Sequence, residues 1–206
     1  MNYGILNEFN SIPHEYLDRI DNYKVIILCS PITRIDNLPS NKIRCLWLIE
    51  NFNQSIDNLP LGIEELYLGD KFNQSIDLIP ISVKILSLGI EFNQPLYNLP
   101  PGLKTLELNS QQFSYSLSNL PASCKTVILY ESFDRHINDL PDTVETIIIH
   151  NQTGWINKYN HDFQPSTGLQ KLIIYHYNGY LDQYEIIKNK ISKPAIVQIK
   201  IINQCI

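Results

Sequence analysis

The stretch Phe72-Asn73-Gln74-Ser75-Ile76-Asp77-Leu78-Ile79-Pro80 repeats, with two changes, the stretch Phe52-Asn53-Gln54-Ser55-Ile56-Asp57-Asn58-Leu59-Pro60 that lies 20 residues before it. Prolines keep an interval of 20 or 21 residues along much of the chain, at Pro39, Pro60, Pro80, Pro100, Pro121 and Pro141. Phenylalanines keep the same interval, at Phe52, Phe72, Phe92, Phe113 and Phe133. A fixed period of this length is typical of one small unit stacked on copies of itself. The sequence therefore predicts a repeat solenoid.

A six-residue frame follows each of these prolines, with apolar residues at positions 1, 4 and 6. The six frames are 43–48, 63–68, 83–88, 103–108, 124–129 and 144–149. Apolar residues that alternate with outward residues indicate a half-buried strand. The same frame fits residues 23–28, 169–174 and 196–201. We therefore predict a β-rich coil whose nine strands form one parallel sheet.

The second half of each unit, such as 52–60, predicts the return leg of the coil. Its phenylalanine and the isoleucine four residues later are expected to point inward. Proline fixes φ and removes a backbone donor, so this leg is predicted to be extended or to form a single turn. Asn53, Asn73 and Asn93 recur at one position of the leg. We expect them to be buried and to hydrogen-bond between neighbouring coils.

The periodic pattern divides the chain into three parts. Residues 1–22 are predicted to form an N-terminal cap, with a short helix at about 12–20 that opens on a serine, a proline and a glutamate. Residues 23–149 are the regular repeats. Residues 150–206 are predicted to form irregular repeats and a C-terminal cap, with an amphipathic helix inside 179–193.

Composition limits the classes of function. The chain has 206 residues and a net charge of −5, with 16 basic and 21 acidic side chains, which argues against a nucleic-acid or anionic-membrane partner. No apolar run approaches the length of a membrane span, and the N-terminus lacks the pattern of a signal peptide. The cysteines stand apart at Cys29, Cys45, Cys124 and Cys205 and are expected to be free thiols. We therefore expect a cytoplasmic protein.

The run Phe72–Asp77 with the following Ile79-Pro80, and the same run at Phe52–Pro60, resembles the FNIP repeat. That repeat is a variant of the leucine-rich repeat and is known from amoebae and from giant viruses that infect them. The resemblance implies a leucine-rich-repeat-like, right-handed solenoid with its parallel sheet on the concave side. It also implies a protein-interaction scaffold, located in the host cytoplasm if the protein is viral.

Frame positions 2, 3 and 5 are expected to face outward on the concave sheet. Position 5 brings Trp47 and Tyr67 onto adjacent strands, and an exposed aromatic pair is typical of an interaction anchor. Position 2 is mostly basic and could meet an acidic partner. The candidate protein-binding residues are Arg44, Trp47, Tyr67, Lys84, Ile128 and Ile148. The plainer alternative is that the aromatic pair only covers the sheet and that the basic row is an ordinary solvated surface.

No motif of a hydrolase, a phosphate-binding loop or a zinc protease is present in the sequence. His150 and His176 follow corresponding strands, but no cysteine or carboxylate completes a metal site at ligand spacing. We therefore expect neither catalysis nor a cofactor or metal. The favoured function is a scaffold that binds an unidentified protein through the concave sheet. The alternative is a homodimer, or larger self-assembly, that pairs through a terminal edge strand such as 25–28 or 196–202.

Overall fold

The computed structural model describes residues 3–6, 25–28, 35, 38, 43–48, 51–130, 133, 137–151, 164, 166–176 and 196–201. These residues form ten strands and no helix. The strands are β1 (Tyr3–Leu6), β2 (Val25–Leu28), β3 (Cys45–Leu48), β4 (Glu65–Leu68), β5 (Ile85–Leu88), β6 (Thr105–Leu108), β7 (Thr126–Leu129), β8 (Thr146–Asn151), β9 (Lys171–His176) and β10 (Ile196–Ile201). The helices predicted at 12–20 and 179–193 lie outside the described residues. None of the described segments is a helix suited to crossing a membrane.

All ten strands lie in one parallel sheet and follow one another in chain order. Leu46 lies beside Leu66, and Leu66 lies beside Leu86, so each coil advances by one sequence repeat. Equivalent frame positions therefore form straight rows across the sheet. This arrangement confirms the predicted solenoid with a parallel sheet.

The sheet has one strand more than the nine that the frame identified, because β1 adds a tenth. Tyr3 pairs with Val25 at the edge of the sheet, inside the segment predicted to be only a cap. Gly4 occupies frame position 4, where the other strands carry an aliphatic residue. The apolar pattern that identified the other strands is therefore incomplete here.

The last strand is present where it was predicted, but its register differs from the predicted frame. Ile196 was aligned with Leu169, whereas it pairs with Lys171. The shift is two residues, and side chains alternate between sheet faces with a period of two. The strand is therefore present as predicted, with its register displaced by one alternation period.

Each coil closes around its own apolar side chains. In one coil the buried set comprises Leu46, Leu48, Phe52, Ile56 and Leu59, each at most 6 % exposed. The same positions in neighbouring coils join them in one continuous core. Two tight turns shape the return leg, with the Leu59 amide donating to the Ile56 carbonyl and the Ile63 amide donating to the Pro60 carbonyl. The predicted extended or single-turn leg is confirmed.

The phenylalanines stack along the solenoid axis. Ring centroids are 6.2 Å apart between Phe52 and Phe72, and 6.3 Å apart between Phe72 and Phe92. The stack continues at 6.4 Å to Phe113. Because each ring is buried between rings of adjacent coils, a single coil could not bury its own phenylalanine fully. Stacking therefore stabilises the coils jointly.

An asparagine ladder, Asn53–Asn73–Asn93, links the return legs. The side-chain oxygen of Asn53 accepts a hydrogen bond of 2.9 Å from the Asn73 amide, and that of Asn73 accepts one of 2.8 Å from the Asn93 amide. The predicted bonding between coils is confirmed. The predicted burial is wrong, because Asn53 is exposed and the other two are only partly buried. The ladder lies at the surface of the turn, where its amides would otherwise bind water.

Candidate functional site

The sheet face turned away from the core, here the open sheet face, is the surface predicted to be concave. Strand residues alternate between the two faces, so frame positions 3 and 5 of β3–β8 lie on it. They are Cys45, Trp47, Glu65, Tyr67, Ile85, Ser87, Thr105, Glu107, Thr126, Ile128, Thr146 and Ile148. All but Cys45 are at least partly exposed. The next member of the position-5 row, Ile173 on β9, is buried, which interrupts the exposed row there.

Trp47 and Tyr67 meet on this face as neighbouring residues of β3 and β4. Their rings stack with centroids 4.3 Å apart and planes inclined by 29°. Trp47 is still 37 % exposed. Its indole N–H donates a hydrogen bond of 3.0 Å to Sγ of Cys45. The two rings therefore both pack on each other and present aromatic surface to solvent.

Two carboxylates, Glu65 and Glu107, lie on the open sheet face, and each is held by a tyrosine. The Tyr67 hydroxyl donates to Oε2 of Glu65 at 3.3 Å. The Tyr130 hydroxyl donates to Oε2 of Glu107, also at 3.3 Å. These bonds fix the carboxylates against the aromatic rings.

Burial raises the pKa of Glu107 above the ordinary glutamate value. Hydrogen bonds from Ser87 and Tyr130 act in the opposite direction, and the charge of Glu65 adds to the increase. Burial also raises the pKa of Tyr67, and the charges of Glu65 and Glu107 contribute to that increase. The charge of Glu65 therefore raises the pKa of both Glu107 and Tyr67, and at Glu107 the hydrogen bonds offset the increase only in part.

A second aromatic stack follows the ends of β7, β8 and β9. His150 lies between Tyr130 and Tyr175, with centroid distances of 4.8 Å and 4.7 Å. The register places Tyr175, and not His176, beside His150. The expected neighbours His150 and His176 are therefore offset by one residue. Among the described residues, no group of three or more metal-binding side chains comes together.

The predicted residues Ile128 and Ile148 also lie on the open sheet face, half-buried. They pair in register with each other, and Ile128 is in register with Glu107. They form an apolar strip between the carboxylate of Glu107 and the buried Ile173. The structure therefore places four of the six predicted residues, these two and the aromatic pair, on one surface.

Arg44 and Lys84 lie elsewhere, on a rim just before the strands begin. Both are exposed, and both form ion pairs with Glu64, at 3.2 Å and 2.7 Å. Further along the rim, Lys125 pairs with Glu145 at 3.0 Å. The rim therefore combines basic side chains with Glu64 and Glu145, which pair with three of them, so its charge is more balanced than the mostly basic row suggested. Exposed pairs of this kind contribute little to stability.

Two of the predicted free cysteines are described, and both are free and buried: Cys45 and Cys124. Burial raises the pKa of each thiol to about 11. A thiol with such a pKa is protonated at neutral pH and is a poor nucleophile. Cys29 and Cys205 lie outside the described residues.

A cavity of about 310 Å³ lies on the return legs, away from the open sheet face. Its lining includes Ser116, Leu117 and Asp139. One carboxylate oxygen of Asp139 accepts hydrogen bonds from the Ser116 hydroxyl at 2.5 Å and from the Leu117 amide at 2.9 Å. This acidic group therefore connects two coils.

Sequence reasoning missed the acidic part of the face and the second stack. Glu107 and Ser87 stand in the same position-5 row as the aromatic pair, so their outward direction could be read from the frame. Tyr130, His150 and Tyr175 follow one residue after the frame, and extending the row to that position would have found them. The link between Tyr130 and Glu107 joins different rows and different strands, which a linear pattern does not show.

A model of the FNIP repeat matches residues 52–91 and again residues 76–111. Curated proteins gave no match. Among solved structures the chain is similar to CroV588, titled "a novel circular LRR protein structure", with a TM-score of 0.60 and 20 % identity over 98 % of this chain. The chain spans 34 % of the length of that protein. At this identity the likeness shows the fold alone. The chain therefore carries FNIP repeats over residues 52–111 and folds as a β-solenoid of the leucine-rich-repeat type.

Proposed function

We propose that this protein is a non-enzymatic scaffold that binds another protein through the open sheet face. Repeat solenoids of the leucine-rich-repeat type are typical of protein-interaction scaffolds. The observation that carries the proposal is the stack of Trp47 and Tyr67, which stays partly exposed on a rigid sheet. The partner is a protein of unknown identity.

The rigidity of the face favours binding. Each strand of the open sheet face, β3–β8, pairs with a neighbour on both sides, and the core beneath these strands is continuous. Side chains held in one geometry lose little conformational entropy when a partner docks. Aromatic residues at the centre of such a surface commonly supply a large share of the binding free energy. Trp47 and Tyr67 are therefore the expected anchors, with Ile128 and Ile148 as a second apolar contact.

The rim residues Arg44 and Lys84 are proposed as peripheral contacts. Both side chains are exposed, and both already share Glu64. A partner carboxylate would compete with Glu64 for them in a solvated environment. We therefore expect these two residues to affect the association rate more than the affinity.

Affinity capture from a lysate of the source organism, or of its host, tests the proposal. The double variant Trp47→Ala/Tyr67→Ala is compared with the wild-type protein by quantitative mass spectrometry. Leu61→Ala/Ile81→Ala is the matched control, because both side chains are apolar and exposed on the turns, at 76 % and 77 %. The expected result is loss of specific partners in the first variant and their retention in the control. Retention in both, with circular dichroism unchanged, contradicts the proposal.

Self-association is the second candidate function. The predicted edge at 25–28 is wrong, because β2 pairs with β1 as well as with β3, so β1 and β10 are the two edge strands of the sheet as described. Edge strands carry backbone groups that a second chain can pair with. Light scattering across a concentration series tests this idea. A mass that rises with concentration supports it, and a constant monomer mass contradicts it.

The proposal also covers the location of the protein, the classes of partner that it disfavours and the absence of catalysis. We place the protein in the cytoplasm, since Cys45 and Cys124 are free thiols. Nucleic acid and anionic membranes are unfavourable partners, because Glu65 and Glu107 would face their phosphates. The raised pKa of both thiols argues against Cys45 and Cys124 as catalytic nucleophiles, in keeping with the proposed non-enzymatic role.

A further inference from the structure

We propose that the partner segment bound by the open sheet face is basic, with arginine or lysine side chains seated at Glu65 and Glu107 between the two aromatic stacks. The inference rests on the proposed protein-binding function of this face. It adds the chemical class of the partner.

The charge of the face carries the argument. Between β3 and β8, frame positions 3 and 5 hold two carboxylates, Glu65 and Glu107, and no lysine or arginine. The ion pairs formed between two described residues use other acids: Glu64, Glu91 and Glu145. The nearest cations on the rim are thus largely engaged by rim carboxylates, although Lys104 is exposed there. The face consequently carries two acids whose observed hydrogen-bond partners are uncharged: hydroxyl groups and, for Glu65, the Cys45 thiol.

The hydrogen bonds to these acids prepare them to receive a cation. A carboxylate has about four acceptor sites. The hydrogen bonds of Glu65 with Tyr67 and Cys45, and of Glu107 with Tyr130 and Ser87, leave some of these sites open. Glu107 is half-buried, so its charge is poorly solvated, and an incoming cation would favour the charged form. The tyrosines hold each carboxylate in place, which reduces the ordering required on binding.

The aromatic rings add a second attraction for the same group. The partly exposed Trp47–Tyr67 stack lies beside Glu65, and Tyr130 contacts Glu107. Arginine and lysine bind the faces of such rings through cation–π contacts. A guanidinium can stack on a ring and pair with a carboxylate at the same time. An acidic or purely apolar segment would satisfy only part of this surface.

The spacing of the acids defines the segment further. Glu65 and Glu107 lie on β4 and β6, two strand separations apart, and Glu107 is also displaced by two residues along the strand direction, because Glu65 is in register with Thr105 through Ile85. The two positions are therefore about 12 Å apart along a diagonal of the face. In an extended peptide, side chains four residues apart lie on the same face and are separated by about 13 Å, which matches that distance. Ser87, in register with Glu107 on the intervening strand β5, has a small side chain and leaves room for the peptide. The proposed segment therefore carries basic residues four positions apart.

A fluorescein-labelled peptide of three Arg-Gly-Ser-Gly repeats is the probe, and a peptide of three Glu-Gly-Ser-Gly repeats is its charge-reversed partner. Fluorescence anisotropy measures binding to the full chain. We expect the arginine peptide to bind the wild-type chain saturably. Its affinity is expected to be at least about tenfold lower for Glu107→Gln, and lower again for the double variant with Glu65→Gln. The glutamate peptide is expected not to bind.

The matched control is Glu91→Gln. Glu91 pairs with Lys71 on the return legs, so this variant changes the net charge by the same amount far from the open sheet face. Its affinity for the arginine peptide is expected to stay within about twofold of wild type. The proposal is overturned if Glu91→Gln weakens binding as much as Glu107→Gln does. Absence of saturable binding to the wild type up to about 1 mM peptide overturns it as well.

The lysate experiment separates this inference from the function on which it rests. If Trp47→Ala/Tyr67→Ala loses its partners while Glu65→Gln/Glu107→Gln retains them, the face binds protein but the basic chemistry is wrong. If Trp47→Ala/Tyr67→Ala retains its partners, the proposed function itself fails. Loss of the partners in both double variants, with circular dichroism unchanged, supports both statements.

Discussion

The side-chain oxygen of Asn73 accepts a hydrogen bond of 2.8 Å from the backbone amide of Asn93, one coil further along the solenoid. The same oxygen accepts a second bond, of 3.0 Å, from the side-chain amide of Gln94. One asparagine therefore satisfies two donors of the next coil. Because the Asn73 amide in turn donates to Asn53, the bonds connect three successive return legs.

Asn73→Ala is expected to lower the free energy of unfolding by about 1–3 kcal/mol, because the Asn93 amide loses its acceptor. Urea denaturation followed by circular dichroism measures the change. Asn73→Asp is the matched control, since it keeps the accepting oxygen, and it is expected to lose much less stability at neutral pH. Equal losses in the two variants would show that the acceptor is not what stabilises the turn.

Gly89 has a steric role at the end of β5. A Cβ atom added there would lie 2.4 Å from the carbonyl oxygen of Gly69, whereas a Cβ at Gly102 would come no closer than 3.8 Å to Ile81. Gly89→Ala is therefore expected to cost about 1–3 kcal/mol, since backbone must move to admit it. Gly102→Ala is expected to change stability much less. Thermal unfolding of both variants checks the difference, and a similar melting temperature for the two would contradict it.

Glu107 and Glu64 are expected to affect the pH dependence of stability in opposite directions. The pKa of Glu107 is raised in the folded protein, mainly by burial, so its ionisation opposes folding as the pH rises above the ordinary value of 4.5. The pKa of Glu64 is lowered by its bond to Lys84, so its contribution is present above that pH and is lost on acidification through the lowered folded-state pKa.

Glu107→Gln should therefore gain stability relative to wild type as the pH rises from about 4 to 7, and Glu64→Gln should lose stability relative to wild type toward neutral pH. Urea denaturation of the three proteins at a series of pH values gives both differences. Curves that run parallel to wild type in both variants would contradict the assigned environments. The groups around Glu107 that bear on this test are Glu65, Tyr67 and Tyr130, with Lys104 on the nearby rim.

The sequence pattern predicted the coils because each one repeats the same physical requirement. Leu46, Leu66 and Leu86 recur in frame since each must fill the core beside its neighbour, so a period in sequence becomes a row in the sheet. The pattern did not identify β1, because Gly4 stands where the other strands carry an apolar residue. Backbone pairing does not require an apolar side chain at that position, so the strand forms nonetheless. At β10 the length of the insertion before the strand concealed a two-residue change in register.

The aromatic part of the open sheet face was predictable for the same reason, since Trp47 and Tyr67 share one frame position. The acidic part was harder to recognise. Its properties depend on the burial of Glu107 and on the bond from Tyr130, which belongs to the next coil and to a different row. A one-dimensional repeat gives the direction of each side chain, but not which hydroxyl reaches which carboxylate.

Site-specific photo-crosslinking tests the central claim most directly. A photoreactive p-benzoylphenylalanine replaces Ser87, at the middle of the open sheet face, and in a separate protein it replaces Ile81, which is 77 % exposed on a turn. Both proteins are irradiated in the same lysate, and adducts are identified by mass spectrometry. We predict a specific protein adduct from position 87 and none from position 81. An adduct from position 81 without one from position 87 would contradict binding through the open sheet face.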